Sequence, residues 1–241
     1  VQLWAQRILH FLFPSACETC KALLSERDLP LFCRPCWETI CPIKGPTCTV
    51  CGIPNVLAVG AADDAKNECQ TCLESPPNYD TATAMFRYQG VLATAVQRMK
   101  YRSRTSLIGP LTDLMHEHLD KINAVDAVLA VPLHISRLRK REFNQSLSRA
   151  NPVAQHLDVP LLIDSLVRIK QTPPQTTLEW KDRRSNVRNA FSVRRPQDVE
   201  NKELLLVDDV LTTGSTVNEC ARMLRNAGAK SIHVLALART A

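Results

Sequence analysis

Residues 204–216 read L-L-L-V-D-D-V-L-T-T-G-S-T, and the chain is best read outward from them. Leu204, Leu205, Leu206 and Val207 form a short apolar run of the kind found in a buried strand. Two carboxylates follow, Asp208 and Asp209, and then a loop of hydroxyls around one glycine: Thr212, Thr213, Gly214, Ser215 and Thr216. Residues 217–227 read as a helix that stops at Gly228. Open α/β sheets hold their ligands at the carboxyl ends of the strands. Backbone N–H groups at a helix start attract phosphate, and a glycine there lets the backbone come close. Two adjacent acids can hold two vicinal hydroxyls. The stretch therefore reads as a buried strand that delivers an acid pair and a phosphate cradle.

The sequence around it alternates strand and helix patterns. Residues 81–88 read as a strand and 91–99 as a helix with Val91, Leu92, Ala95, Val96 and Met99 on one face. A basic loop, 100–104, leads to a second amphipathic helix at 107–119. Residues 127–131 are a buried strand, and Asn144 is placed to cap a helix that runs to about His156. Residues 160–163 read as a short strand, 169–189 as a mobile polar loop, 191–193 as a segment that re-enters the sheet, and 232–237 as the last strand. Strands alternating with helices imply a parallel sheet covered on both faces.

The first third of the chain is different. Its cysteines fall in four C-x-x-C pairs: Cys17 and Cys20, Cys33 and Cys36, Cys48 and Cys51, Cys69 and Cys72. Each pair can present two thiolates from one turn, and two pairs complete a tetrahedral four-cysteine zinc site. Twelve residues separate the first two pairs and seventeen the last two, which suits two sites built from adjacent pairs; the sequence leaves a crossed pairing open. Four disulfides would need an oxidising compartment. Residues 1–13 read as an amphipathic helix with no small-residue cleavage site, so a reduced, cytoplasmic chain is expected. No run is apolar and long enough to span a bilayer. Cys41 and Cys220 are left over; both are expected to be small buried side chains, with Cys41 an alternative metal ligand. Residues 76–78, Pro-Pro-Asn, mark a boundary, giving an N-terminal helix and double zinc ribbon over 1–79 and an α/β domain over 80–241.

Asp-Asp-x-x-x-Thr-Gly-x-Thr after an apolar strand resembles the phosphoribosyl pyrophosphate (PRPP) motif of type I phosphoribosyltransferases. Residues 131–145, with Pro132, Arg137, Arg141, Phe143, Asn144 and Gln145, resemble a signature of the ComF/GntX family. Arg168, Thr172, Gln175, Leu178, Arg183, Asn186, Ala190 and Phe191 follow that family's next pattern, although Glu142 stands where the family has glycine. The resemblance implies a phosphoribosyltransferase-like sheet behind a double zinc ribbon. It implies that Asp208 and Asp209 bind ribose hydroxyls, that Thr212, Thr213, Gly214, Ser215 and Thr216 bind the 5′-phosphate, and that magnesium accompanies PRPP. Arg137, Arg141 and Lys100 are the candidates for pyrophosphate, and Arg183 for a residue on a closing lid. The family is linked to DNA uptake in transformation and to the use of DNA as a nutrient.

Charge adds one discrimination. Residues 1–79 hold 6 Lys and Arg against 8 Asp and Glu, and residues 80–241 hold 24 against 16, so the basic surface belongs to the second part. Single-stranded DNA, if it binds, is expected on residues 100–104, 137–141 and 181–188 rather than on the acidic ribbons. The ribbons are then expected to be structural or to dock a DNA-uptake or DNA-processing protein. Three functions fit: transfer of phosphoribosyl from PRPP to an acceptor, sensing of PRPP or a nucleotide without turnover, and accessory work in DNA processing.

Overall fold

The computed structural model describes residues 15–26, 28–54, 67–102, 104–116, 119, 122, 124–136, 138, 144–172 and 186–240. The expected helix at 1–13 lies outside these residues.

Each half of the cysteine-rich region is built the same way. A knuckle closes on the first pair, and a short helix opens on the second. In the first half Lys21 N donates to Cys17 O and Cys17 N to Ala22 O; in the second Gly52 N donates to Cys48 O and Cys48 N to Ile53 O. The residue after the knuckle is left-handed in both, Lys21 at φ 64° and Gly52 at φ 71°. Lys21 shows that the turn itself tolerates a side chain. Gly52 answers a different demand, since a Cβ there would come within 2.2 Å of Ala82 O. The helices, α1 (Arg34–Trp37) and α2 (Gln70–Glu74), take Cys33 and Cys69 as N-caps, which puts Cys36 and Cys72 on the first turn beside them.

The second part is a parallel sheet with helices on both faces. Its elements are β1 (Thr81–Arg87), α3 (Gly90–Arg102), α4 (Ile108–His116), β2 (Ala127–Ala130), α5 (Gln145–His156), β3 (Leu166–Arg168), β4 (Phe191–Val193), β5 (Glu203–Leu211), α6 (Ser215–Asn226) and β6 (Ser231–Arg239). The sheet order is β1-β6-β5-β2, with every neighbouring pair parallel. The apolar run of β5 feeds two cores at once. Leu205 and Val207 point into a cluster with Leu92, Val96 and Met99 of α3, Leu111 and Met115 of α4, and Val153 of α5. Leu204 and Leu206 point into a second cluster with Val217, Cys220 and Leu224 of α6 and with Leu166 and Phe191. Each such side chain contributes roughly 1.5–3 kcal/mol when buried. That is why this strand reads as continuously apolar instead of alternating.

Three expectations need correction. Residues 191–193 do not re-enter the main sheet. They pair antiparallel with β3, Leu166 opposite Val193 and Arg168 opposite Phe191, because Leu166 and Phe191 must both reach the cluster under α6. Residues 160–163 form no full strand; Leu161 makes a single parallel bridge to Val128 at the edge of β2. Cys41 is exposed, its Sγ 3.3 Å from Thr39 O, whereas Cys220 is buried as expected.

The ribbons share the core of the second part. Cys17, Leu24, Phe32 and Cys33 belong to the same cluster as α3, and Arg98 of α3 bonds Glu18 at 2.7 Å. The outer side of β1 is bonded by the cysteine-rich region: Ile43 N donates to Met85 O, Arg87 N to Cys41 O and Ala82 N to Val50 O.

Candidate functional site

β5 carries its two acids to the carboxyl end of the sheet, where three elements meet. Asp209 is buried and pairs with Lys100 Nζ at 2.6 Å, from the last turn of α3. Asp208 accepts from the Asp209 amide at 2.8 Å and from Ser146 Oγ at 3.3 Å, on the first turn of α5. Arg149, one turn further along α5, is almost fully buried, its Nη2 3.7 Å from Met99 Sδ. Its charge acts on both acids.

The environments split the pair. Burial and the neighbouring Asp209 carboxylate push Asp208 up to about 6, against the opposing pull of Lys100. Burial also pushes Asp209 up, but Lys100 and Arg149 outweigh it and hold that carboxyl below its ordinary value. Burial favours the neutral form and an adjacent cation the charged one. The site thus keeps Asp209 ionised and leaves Asp208 able to exchange a proton near neutrality.

The hydroxyl loop follows at once. Gly214 sits at the N-cap of α6 with φ 73° and ψ 0°, a left-handed turn that glycine adopts without strain. No side chain caps α6, and its first turn holds no acid. Thr213 Oγ1 bonds Ser215 Oγ at 2.7 Å and accepts from Ser215 N at 3.3 Å, which folds the hydroxyls over the helix start. An uncapped, acid-free helix N-terminus favours an anion.

Of the residues expected from sequence, the acid pair lies near the carboxyl end of β5, and residues 212–216 run directly from that end into the start of α6. Lys100 also arrives there, at Asp209. Arg137, Arg141 and Arg183 lie outside the described residues, as do Glu142 and Phe143. Asn144 caps α5, accepting from Ser146 N at 3.1 Å. His134 is held by its own turn, with Nδ1 2.8 Å from Ser136 Oγ. Arg168 lies over the Phe191 ring at 5.2 Å and donates to Thr172, bracing the β3–β4 hairpin. Sequence reading missed Ser146 and Arg149. The signal for Arg149 was present: an arginine on the apolar stripe that includes Ala150 and Val153.

The cysteines gather into two groups, Cys17, Cys20, Cys33 and Cys36, and Cys48, Cys51, Cys69 and Cys72, the sulfurs of each within 4.8 Å of one another. Adjacent pairs combine, and the crossed pairing does not occur. Cys20 and Cys33 sulfurs are 3.5 Å apart, and Cys51 and Cys69 sulfurs 3.6 Å. A tetrahedron with Zn–S of about 2.3 Å has sulfur–sulfur edges of about 3.8 Å, so all-thiolate donor sets of this size fit zinc. Cys48 Sγ also accepts the amides of Cys51 and Cys69 at 3.4 and 3.3 Å, bonds that favour a thiolate.

A parallel sheet that delivers an acid pair and a glycine-led anion cradle from one strand, behind paired four-cysteine ribbons, defines a phosphoribosyltransferase-type domain joined to a double zinc ribbon. Comparison with known proteins agrees. Residues 144–241 match the phosphoribosyl transferase domain, and residues 8–73 the double zinc ribbon domain. Competence protein F of Haemophilus influenzae is 33% identical over 178 residues, covering 71% of this chain and 78% of that protein. DNA utilization protein YhgH of Escherichia coli O157:H7 is 30% identical over 199 residues, covering 80% and 84%. Competence protein ComFC of Streptococcus pneumoniae is 24% identical over 220 residues, covering 90% and 91%. The chain belongs to the ComF/GntX family. Among the described residues no helix is long and apolar enough to cross a membrane.

Proposed function

We propose that the site binds PRPP with magnesium and that the protein works in the uptake or use of DNA, as a cytoplasmic zinc protein. One observation carries the ligand reading: Asp208 and Asp209 lie near the carboxyl end of a buried strand, shortly before an uncapped helix whose N-cap is the left-handed Gly214. Asp208 and Asp209 take the two ribose hydroxyls. The loop of Thr212, Thr213, Gly214, Ser215 and Thr216 takes the 5′-phosphate. Magnesium, when bound with PRPP, would supply charge neutralisation there. Arg137 and Arg141 are the residues proposed to meet pyrophosphate, with Lys100 joining them when ribose hydroxyls displace it from Asp209. Arg183 is proposed to close over the bound molecule. The cytoplasmic setting suits eight thiols poised for metal.

Phosphoribosyl transfer would break the C1–O bond to pyrophosphate, which leaves with the electron pair, while an acceptor bonds C1 and gives up its proton. The names of the relatives supply the DNA setting, and the basic residues 100–104 and 137–141 are the surface proposed for it. The ribbons are proposed to dock a protein partner.

Calorimetric titration of magnesium–PRPP into the zinc-loaded chain tests the site. Binding is expected, with at least about a tenfold loss in Asp209→Asn, since one charge-assisted bond is worth roughly 1.5–3 kcal/mol. Wild-type protein that does not bind PRPP would overturn the reading. Pyrophosphate release with bases or oligonucleotides as acceptors then separates a transferase from a sensor.

A further inference from the structure

The two four-cysteine clusters stand differently towards the phosphate loop. Arg239, at the end of β6, is 6% exposed, and its Nη1 donates to Cys51 O at 2.8 Å while Nη2 lies 3.9 Å from Cys51 Sγ. Its backbone is in register with Leu211, the residue before Thr212, and Thr240 N donates to Leu211 O at 3.0 Å. A second connection runs along residues 78 and 79. Tyr79 is buried, with its hydroxyl 3.4 Å from where a Cβ on Gly214 would lie. Asn78 donates from both its amide and its side chain to Asn218 Oδ1, at 2.6 and 3.0 Å, on the first turn of α6. The first cluster faces elsewhere: Cys17 and Cys33 pack under α3, on the other side of the sheet from α6.

We infer that Arg239, Tyr79 and Asn78 link the second cysteine cluster to the phosphate loop, so that metal occupancy at Cys48, Cys51, Cys69 and Cys72 and order in residues 212–216 rise and fall together. A zinc bound by four thiolates is a formal dianion. Arg239 is the buried cation beside it, and removing one partner of a buried pair leaves the other charge uncompensated. Loss of that metal frees the Arg239 side chain at the point where β6 fixes the register of Leu211. It also releases the chain that leads into Tyr79. Linkage is reciprocal, so an anion seated on the loop retards loss of this metal. This second half rests on the proposed PRPP binding; the first half does not.

Hydrogen exchange on the full chain separates the two. Cys69→Ser should speed exchange of residues 212–218 by about tenfold, the scale of ordinary coupling energies, while Cys20→Ser leaves that segment at the wild-type rate. Arg239→Lys keeps a charge but loses the fork. It should speed the same amides while both zinc ions stay bound by metal analysis, a result that general unfolding could not give. Equal exchange of the segment in the Cys69 and Cys20 variants would overturn the inference. Zinc release to a chromogenic chelator, with and without magnesium–PRPP, tests the reciprocal half. One of the two zinc ions should leave more slowly with PRPP. PRPP that binds by calorimetry yet leaves both release rates unchanged overturns the linkage and spares the binding proposal. PRPP that does not bind overturns the binding proposal and the reciprocal half with it, and the exchange experiment still decides the first half.

Discussion

Asp208 and Asp209 are adjacent in sequence but their surroundings push them in opposite directions. Lys100 Nζ rests on Asp209, whereas the hydrogen-bond donors at Asp208 are neutral, Ser146 Oγ and a backbone amide. A carboxyl that titrates at about 6 in the fold and at 3.8 in the open chain holds its proton better when folded. Its contribution to stability is then full below pH 3.8 and is lost as pH rises through about 6. Asp208→Asn should therefore exceed wild type in stability at about pH 7.5, by at most about 3 kcal/mol, with the gap closing towards about pH 4. Urea unfolding at several pH values reads this directly; a gap that does not change with pH would contradict it. The acid pair itself was plain in the sequence, because an apolar run ending in two acids has few structural uses. The asymmetry within it was not, since it depends on Lys100 and Arg149, which reach the site from two other elements.

At the scale of elements, α5 is the one that turns chain direction into site geometry. Asn144 accepts from Ser146 N, which fixes where the helix begins. Its Nδ2 lies 3.4 Å from Val131 O, at the end of β2. Ser146 and Arg149, three residues apart, then share the helix face turned towards β5. Asn144→Ala should cost about 1 kcal/mol through loss of the cap. It should also weaken the proposed PRPP binding, because Ser146 would no longer be set against Asp208. Denaturation and calorimetry on one preparation check both, and a variant that loses neither stability nor binding would deny α5 this role. Asn144 as a cap, and the strands of the main sheet, were legible because their signals are local. The β3–β4 pair was not. Each strand is three residues long, and what joins them is a shared need to bury Leu166 and Phe191 under α6, which no window of sequence displays. Cys41 misled for a related reason: burial is a property of the whole fold, and a cysteine between Ile40 and Pro42 carries no mark of it.

At the scale of the whole molecule, the cysteine-rich region and the sheet are a single packed body. Phe32 and Leu24 lie in one cluster with Leu92 and Val96, so the ribbons cannot loosen without uncovering α3. Small metal domains owe much of their folding free energy to the ion. Removing zinc with a chelator should thus lower the thermal midpoint of the whole chain in one transition, followed by scanning calorimetry; two separate transitions would show independent parts. A further consequence lies in how β1 is bonded. It is the end strand of a parallel sheet, and Ala82 N, Met85 O and Arg87 N on its outward edge are engaged by Val50, Ile43 and Cys41. An end strand left open is a template on which another chain can add itself. The ribbon is therefore a guard against self-association as well as a metal site. A chain made in zinc-poor cells would present β1 to its neighbours, and the damage would appear first as insoluble protein rather than as a soluble protein short of metal.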